Sequence, residues 1–379
     1  LAAVARVAGI AADPSPDLAA GLDALTAAAP APGRILICGS LYLAVLITAT
    51  IFAAATGIVG SSVTLLGVMA GPAMIKSGYV PKMSAGVITA GGTLGILIPP
   101  SVMLIVMGPV VGVPATDLFA AAIIPGLLLS AIFTVWCLVR CWLNPSLGPA
   151  LPPELRATSM GAVLRDLAIG VVPVIVVILS TLGVILAGIA TPTDAGAVGC
   201  AAVFLLTLLS GRMTLAKIRK SAYQTLEVSS MILLLVVASN LFGSVFSRLG
   251  SAEFLANLLT SLSLPPTMML IVILALIFVL GWPLEWVPIV LIVVPIVLPI
   301  VQAAGIDLIW FCTLVAMTLQ TAWLSPPVAL SAYFLKGVVP QWHLKDIYAG
   351  MVQFMVLQLL GVGLLLMFPK LATWLASVN

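Results

Sequence analysis

The sequence predicts an all-α polytopic membrane protein made of two inverted repeats, each with a re-entrant helical hairpin and a Pro-Pro-broken transmembrane helix. Three observations carry this. Of 379 residues, 62% are hydrophobic and 7% charged, with a mean hydropathy of +1.29, so lipid rather than water is the solvent. Apolar runs of the roughly 20 residues that a spanning helix needs recur, at 118 to 139, 167 to 190, 223 to 247 and 347 to 369. Two further runs, 83 to 112 and 308 to 336, are each interrupted by Pro-Pro. Lipid cannot satisfy exposed backbone groups, and the pattern lacks the short alternating strands of a barrel, so the spans are helices.

Residues 1 to 34 read as an N-terminal remnant whose polar stretch, DPSPDLAAGLDALTAAAPAPG (13 to 33), holds an amphipathic helix lying on the membrane surface. No initiator Met, basic leader or cleavage site opens the chain. The first repeat spans 35 to 143 and begins with a hairpin at 35 to 75, whose arms 35 to 56 and 63 to 75 are separated by TGIVGSS. The second arm is too short to span, which places the tip inside the membrane. In the broken helix 83 to 112, Gly91, Gly92, Gly95, Pro99 and Pro100 interrupt the run. Proline has no N–H and clashes with the preceding turn, so two in succession unwind the helix and free its carbonyls. The span 118 to 139 closes the repeat, and a polar cytoplasmic loop covers 144 to 166.

Three spans follow within 167 to 247, at 167 to 190, 195 to 211 and 223 to 247. The second repeat, 248 to 379, then restates the plan: an amphipathic piece at 252 to 263, a hairpin at 267 to 302 turning at Gly-Trp-Pro, a broken helix at 308 to 336 interrupted in LSPPVAL, and a span at 347 to 369. Gly57 to Pro99 is 42 residues and Gly281 to Pro326 is 45, close enough to mark an internal repeat. The three extra spans have no counterpart before residue 13, so N-terminal helices are expected to be missing.

Basic residues give the orientation. Twelve of the fifteen Lys and Arg, among them Arg34, Lys76, Lys82, Arg140, Arg212 and Lys345, fall on one side of the proposed spans, which the positive-inside rule makes cytoplasmic. The placement works only if the two hairpins enter from opposite faces. Inverted halves with discontinuous helices are the design of secondary transporters.

The residues that carry chemistry cluster at the breaks. Gly57, Gly60, Ser61 and Ser62 form the first hairpin tip, opposite Gly92, Thr93 and Gly95 of the first break. Unwound carbonyls with Ser or Thr hydroxyls are hard oxygen ligands suited to sodium without a buried formal charge. The competing reading is that small residues here only let helices pack closely. A second, hydroxyl-poor set comprises Gly281, Ala322 and Ser325 before Pro326 and Pro327, with Glu285 nearby as an ion ligand, a tip cap or an interfacial acid. Thr191-Pro192-Thr193-Asp194 reads as a helix cap. The five cysteines form no Cys-x-x-Cys pair, and the single His343 sits in a polar loop, so no transition-metal site is indicated. Nucleophile elbows, phosphate loops and zinc motifs are absent, which leaves neither an enzyme nor an ATP-driven pump. A charge of only +3 gives no nucleic-acid signature, and no cofactor is called for beyond the coupling ion.

The stretches ATGIVGSSVTLLG, KSGYVPKMSAGVITAGGTLGILIPPSVMLIV, LAGIATPTDAGAVG and GIDLIWFCTLVAMTLQTAWLSPPVAL together resemble the large membrane subunit of tripartite ATP-independent periplasmic (TRAP) transporters, across nearly the whole chain. The resemblance implies an elevator-type, sodium-coupled symporter in a bacterial or archaeal inner membrane. It implies that a periplasmic solute-binding protein delivers a small anionic solute, often a carboxylate, and that a small membrane subunit is a further partner. It also implies one sodium site between the Ser61-Ser62 tip and the Gly92-Thr93 break, and another between the Gly281 tip and the Ser325 break. One departure stands out: the family's usual Gly-x-x-Thr-Pro-Pro-Val-Gly reads here Ala322-Trp323-Leu324-Ser325-Pro326-Pro327-Val328-Ala329. A stand-alone dicarboxylate symporter or antiporter of the same superfamily, or a passive channel, are the alternatives.

Overall fold

The computed structural model describes residues 41–149, 160–251, 254, 257, 264–326 and 328–378. The surface helix expected within 1 to 34, most of the amphipathic piece at 252 to 263, and Pro327 lie outside the described residues. Every regular element among the described residues is helical. Seven helices are long and apolar enough to cross a membrane, and four shorter apolar helices accompany them.

The first hairpin is α1 (Leu41–Thr56) and α2 (Val59–Lys76). Its arms differ from the expectation in one respect. The second helix restarts at Val59 instead of residue 63, so it runs 18 residues and Gly60, Ser61 and Ser62 occupy its first turn. The Ser61 and Ser62 hydroxyls both donate back to the Ile58 carbonyl, at 3.0 and 2.9 Å, alongside the Ser62 amide, so they are satisfied inside the helix and do not require a loop. The tip proper is therefore Gly57 and Ile58. Next comes the first broken helix, α3 (Pro81–Thr93), a 3-10 turn at Leu94–Ile96, an irregular stretch through Pro99 and Pro100, and α4 (Val102–Val111). Gly112 ends α4 in the left-handed conformation, and α5 (Ala115–Leu143) follows.

The middle of the chain holds α6 (Met160–Ile178, carried through a π-helical turn to Leu186), α7 (Pro192–Leu209) and α8 (Leu215–Arg248). Thr191 caps α7: its hydroxyl accepts from the Asp194 amide and donates to the Asp194 carboxylate at 2.6 Å. The second hairpin is α9 (Pro266–Leu280) and α10 (Trp286–Ala303, with a π-helical turn at Ile289–Val293). The second broken helix is α11 (Leu308–Ala322), capped by Asp307 on the Trp310 amide at 2.8 Å, followed by α12 (Leu330–Val338). The chain continues into α13 (Leu344–Met367) and α14 (Lys370–Val378).

Burial separates two regions. In α3 every residue from Met83 to Thr93 is buried, and in α11 every residue from Phe311 to Ala322. Helices enclosed on all sides are the centre of a bundle, and these two are the broken ones. Around them α1 and α2 pack on α3, α9 packs on α11, and α13 packs on both. The arms also cross over: α12, which follows the second break, packs on α2 of the first hairpin, while α4, which follows the first break, packs on α10 of the second. Close approach of α13 to α3 depends on glycine. A Cβ on Gly350 would collide with the Lys82 carbonyl, and one on Gly86 would lie 2.7 Å from the Phe354 ring. By contrast, α6 to α8 bury little: α7 and α8 are mostly exposed, α6 is mostly half-buried from 171 to 186, and only Ile185, Ala195, Gly199 and Ser239 are buried among the described residues. Their outward side chains, such as Leu205, Leu226, Leu234 and Val237, are apolar, a surface made for lipid or another membrane chain.

Candidate functional site: hairpin tips against broken helices

The first tip and the first break are in contact. Gly57 takes φ +61°, where a side chain is strained, and a Cβ there would lie 2.9 Å from the Pro100 carbonyl oxygen. One turn along, a methyl on Gly92 would overlap the Val63 side chain and sit 2.9 Å from the Val63 amide nitrogen. At Gly95 the approach is looser, with a Cβ position 3.4 Å from Ser62 Oγ and 3.6 Å from Thr56 Oγ1. The two hydroxyl oxygens lie 2.5 Å apart, and since each hydroxyl has one hydrogen, this contact competes with the carbonyl bond each makes in its own turn. Thr56 is tied to the Phe52 carbonyl at 2.9 Å, and Ser62 is nearly inaccessible, at 2% exposure. Thus Gly57, Ser62, Gly92 and Gly95 converge, and Thr56, which the sequence reading passed over, joins them.

Three predicted residues sit differently. Ser61 is exposed and bonds only within its own turn. Gly60 faces the aromatic ring of Phe334 on α12, 2.9 Å from where a Cβ would be. Thr93 is buried on a different face of α3 from the one that meets the tip. Its hydroxyl donates to the Ala90 carbonyl at 2.7 Å and accepts from Gln320 Nε2 at 3.2 Å and Gln358 Nε2 at 3.0 Å. The separation follows from helical spacing, because neighbouring residues on a helix point about 100° apart and cannot share a face. Amides inside apolar spans are uncommon, and that was the available signal for Gln320 and Gln358.

The second tip also meets its break. A Cβ on Gly281 would lie 2.6 Å from the Ala322 methyl. Ser325 is buried, but its hydroxyl is directed to the Thr321 carbonyl at 3.2 Å and the Met355 sulfur at 2.9 Å. Pro326 is exposed. Trp323 stacks on Phe334 at 6.3 Å and 14°, so one aromatic pair links the second break to the first tip. Ala329 adopts φ 37°, ψ 64°, a left-handed conformation that favours glycine. Glu285 is exposed at the start of α10 and makes no capping bond.

Both tips are uncharged apart from Glu285. Among the described residues no three His, Cys, Asp or Glu side chains gather as a metal site. What the first tip offers is hard neutral oxygen held between an unwound helix and a hairpin turn.

Comparison with known proteins gives this geometry its context. Residues 28–371 match the family model described as tripartite ATP-independent periplasmic transporter, DctM component. The chain belongs to that family. It is a large permease subunit and a multi-pass inner-membrane protein. Similar proteins include the C4-dicarboxylate TRAP transporter large permease protein DctM of Rhodobacter capsulatus, 31% identical over 317 residues, covering 79% of this chain and 70% of that protein. The protein of the same name in Pseudomonas aeruginosa is 28% identical over 343 residues, covering 90% and 77%. The 2,3-diketo-L-gulonate TRAP transporter large permease protein YiaN of Escherichia coli is 28% identical over 306 residues, covering 79% and 69%. Irregular backbone at membrane depth persists where protein surrounds it, which fits the finding that the most enclosed helices of this permease are the broken ones. Solute transport is what the family does.

Proposed function

We propose that this permease takes up a small anionic organic solute, of carboxylate type, by sodium symport. The observation that carries the reading is the Thr56–Ser62 hydroxyl pair, packed at an uncharged hairpin tip against Gly95 of the unwound first break. Neutral hard oxygens in a lipid-enclosed site suit a monovalent cation and do not require a carboxylate there. On this reading Gly57, Ser62, Gly92 and Gly95 surround the first sodium site, with Ser62 and Thr56 as its hydroxyl ligands, while Gly60, Ser61 and Thr93 make their contacts elsewhere. Gly281, Ala322 and Ser325 surround a second site, poorer in hydroxyls.

The reciprocal packing of α12 on α2 and α4 on α10 supports two inverted repeats, 35 to 143 and 248 to 379, each with a re-entrant hairpin. The enclosed helices around the two breaks would form the moving body of an elevator, with α6 to α8 on its outside as scaffold. That exposed apolar scaffold supports a small membrane subunit as partner, and the family supports a periplasmic binding protein that hands over the solute. Relatives named for a C4-dicarboxylate and for 2,3-diketo-L-gulonate support an organic acid as cargo.

The test is uptake into proteoliposomes holding the permease with its small subunit, supplied with binding protein outside. Uptake of labelled solute is expected only with an inward sodium gradient and with the binding protein present. Uptake that continues when both are removed rejects the proposal.

A further inference from the structure

We infer that the buried carboxamides of Gln320 and Gln358, gathered on Thr93, form a binding site for a monovalent cation, separate from both hairpin tips. Three central helices meet there, α3, α11 and α13, and all three side chains are 0% exposed. Both carboxamides turn their nitrogens onto one atom, the Thr93 hydroxyl oxygen, at 3.2 and 3.0 Å. That hydroxyl has one hydrogen, already given to the Ala90 carbonyl at 2.7 Å, and two lone pairs, now both used. The two carbonyl oxygens, Gln320 Oε1 and Gln358 Oε1, are left without any partner. Turning one amide over would let the Thr93 hydroxyl donate to its oxygen, but its nitrogen would then take the outer position, where no acceptor stands.

Buried acceptors are rarely left unmatched, and two on one three-residue cluster call for a ligand. The donor set restricts it. Two carbonyl oxygens repel an anion. Divalent magnesium and calcium take carboxylates, and transition metals take nitrogen or sulfur; the cluster offers neither. Neutral, buried and unpartnered amide oxygens are ligands that suit a monovalent ion, as carbonyl oxygens do in cation filters. The site lies on a different face of α3 from the first tip, whose partners are Gly92 and Gly95, so the inference rests on its own unpartnered atoms and not on the hairpin reading. Its oxygens come from α11 and α13, and Thr93 of α3 holds both amides in place, so the site is complete only when all three helices are assembled.

The experiment follows thermal unfolding of the full chain in detergent, exchanged into choline chloride and titrated with sodium, lithium or potassium chloride at constant ionic strength. The melting midpoint is expected to rise with at least one of these ions. Ser62→Ala, which removes a hydroxyl from the hairpin tip, is expected to keep a cation-dependent rise, and Gln358→Met in that background to lose it. Gln320→Glu, which keeps the shape and adds charge, is expected to lower the half-saturating cation concentration at least tenfold. A wild-type midpoint indifferent to all three ions overturns the inference. So does a full rise in the Ser62→Ala/Gln358→Met chain, or a Gln320→Glu chain destabilised equally in choline and sodium; either result assigns the site to ordered water only. If Ser62→Ala alone abolishes the rise, the ion belongs to the hairpin tip, which rejects this site while leaving the sodium-symport proposal standing.

Discussion

Two neighbouring glycines on the first broken helix should respond to the same substitution in opposite ways. In Gly95→Ala the new methyl sits 3.4 Å from Ser62 Oγ and 3.6 Å from Thr56 Oγ1, ordinary contact that needs no movement. Replacing Gly where its conformation suits other residues stabilises by about 0.4–1 kcal/mol through the unfolded chain, so the melting midpoint should hold or rise. The methyl nevertheless covers one side of the hydroxyl pair. Losing one oxygen contact to an ion, taken at the worth of a hydrogen bond to a charged group, costs about 1.5–3 kcal/mol, or roughly a 10- to 150-fold rise in half-saturating sodium. In Gly92→Ala the methyl meets the Val63 side chain and, at 2.9 and 3.0 Å, its backbone N and Cα. Backbone cannot rotate aside, so the hairpin must lift. Overpacking of this kind costs about 1–3 kcal/mol or more, and the loss should appear as lower stability and yield. Sodium dependence of uptake in proteoliposomes and melting in detergent separate the two outcomes. Half-saturating sodium within twofold of wild type for a well-folded Gly95→Ala would remove the hydroxyl pair from the ion site. A Gly92→Ala chain as stable as wild type would refute the packing argument.

Further substitutions probe other contacts. Ser61→Ala, at an exposed hydroxyl bonded only within its turn, should leave sodium-dependent uptake unchanged, while Ser62→Ala should weaken it about tenfold, the difference of one ligand contact. Trp310→Phe removes the indole bond to the Leu365 carbonyl at 2.9 Å and leaves that acceptor unmatched, which should lower stability by about 1–3 kcal/mol, read as a fall in the melting midpoint. At residue 329, where φ is 37°, Ala329→Gly should preserve the folded protein. Ala329→Val should lose it, because a β-branched residue is a genuine outlier there, and detergent-solubilised yield distinguishes the two.

Much of this architecture is legible in the sequence because it follows from solvent and from proline. Apolar length gave the spans, and the tandem prolines mark the breaks, α3 ending at Thr93 ahead of Pro99 and Pro100 and α11 at Ala322 ahead of Pro326, whereas single prolines such as Pro72 and Pro125 stay inside helices. The first tip was readable down to Gly57 and Ser62 because glycine and hydroxyls at a turn have few other uses inside a membrane. The direction each side chain takes was not readable. Thr93 and Gly92 are adjacent in sequence, yet one faces α11 and α13 and the other the hairpin. That choice is made by Gln320 and Gln358, 227 and 265 residues away. The start of α2 shifted for a similar reason: Ser61 and Ser62 look like loop residues by propensity, but their hydroxyls cap the Ile58 carbonyl from within the helix. The family's glycine at the position of Ala329 has its explanation in φ, which composition alone cannot supply.

The ring of Phe334 lying over Gly60 has a consequence for how such sequences can diverge. The two positions share one volume, so they are not free to change independently. A lineage that gains a side chain at residue 60 must shed bulk at residue 334, by passing through a smaller residue there first. Alignments of permeases of this kind should therefore show Phe or another large ring at 334 with Gly at 60, and smaller residues at 334 wherever 60 is not Gly.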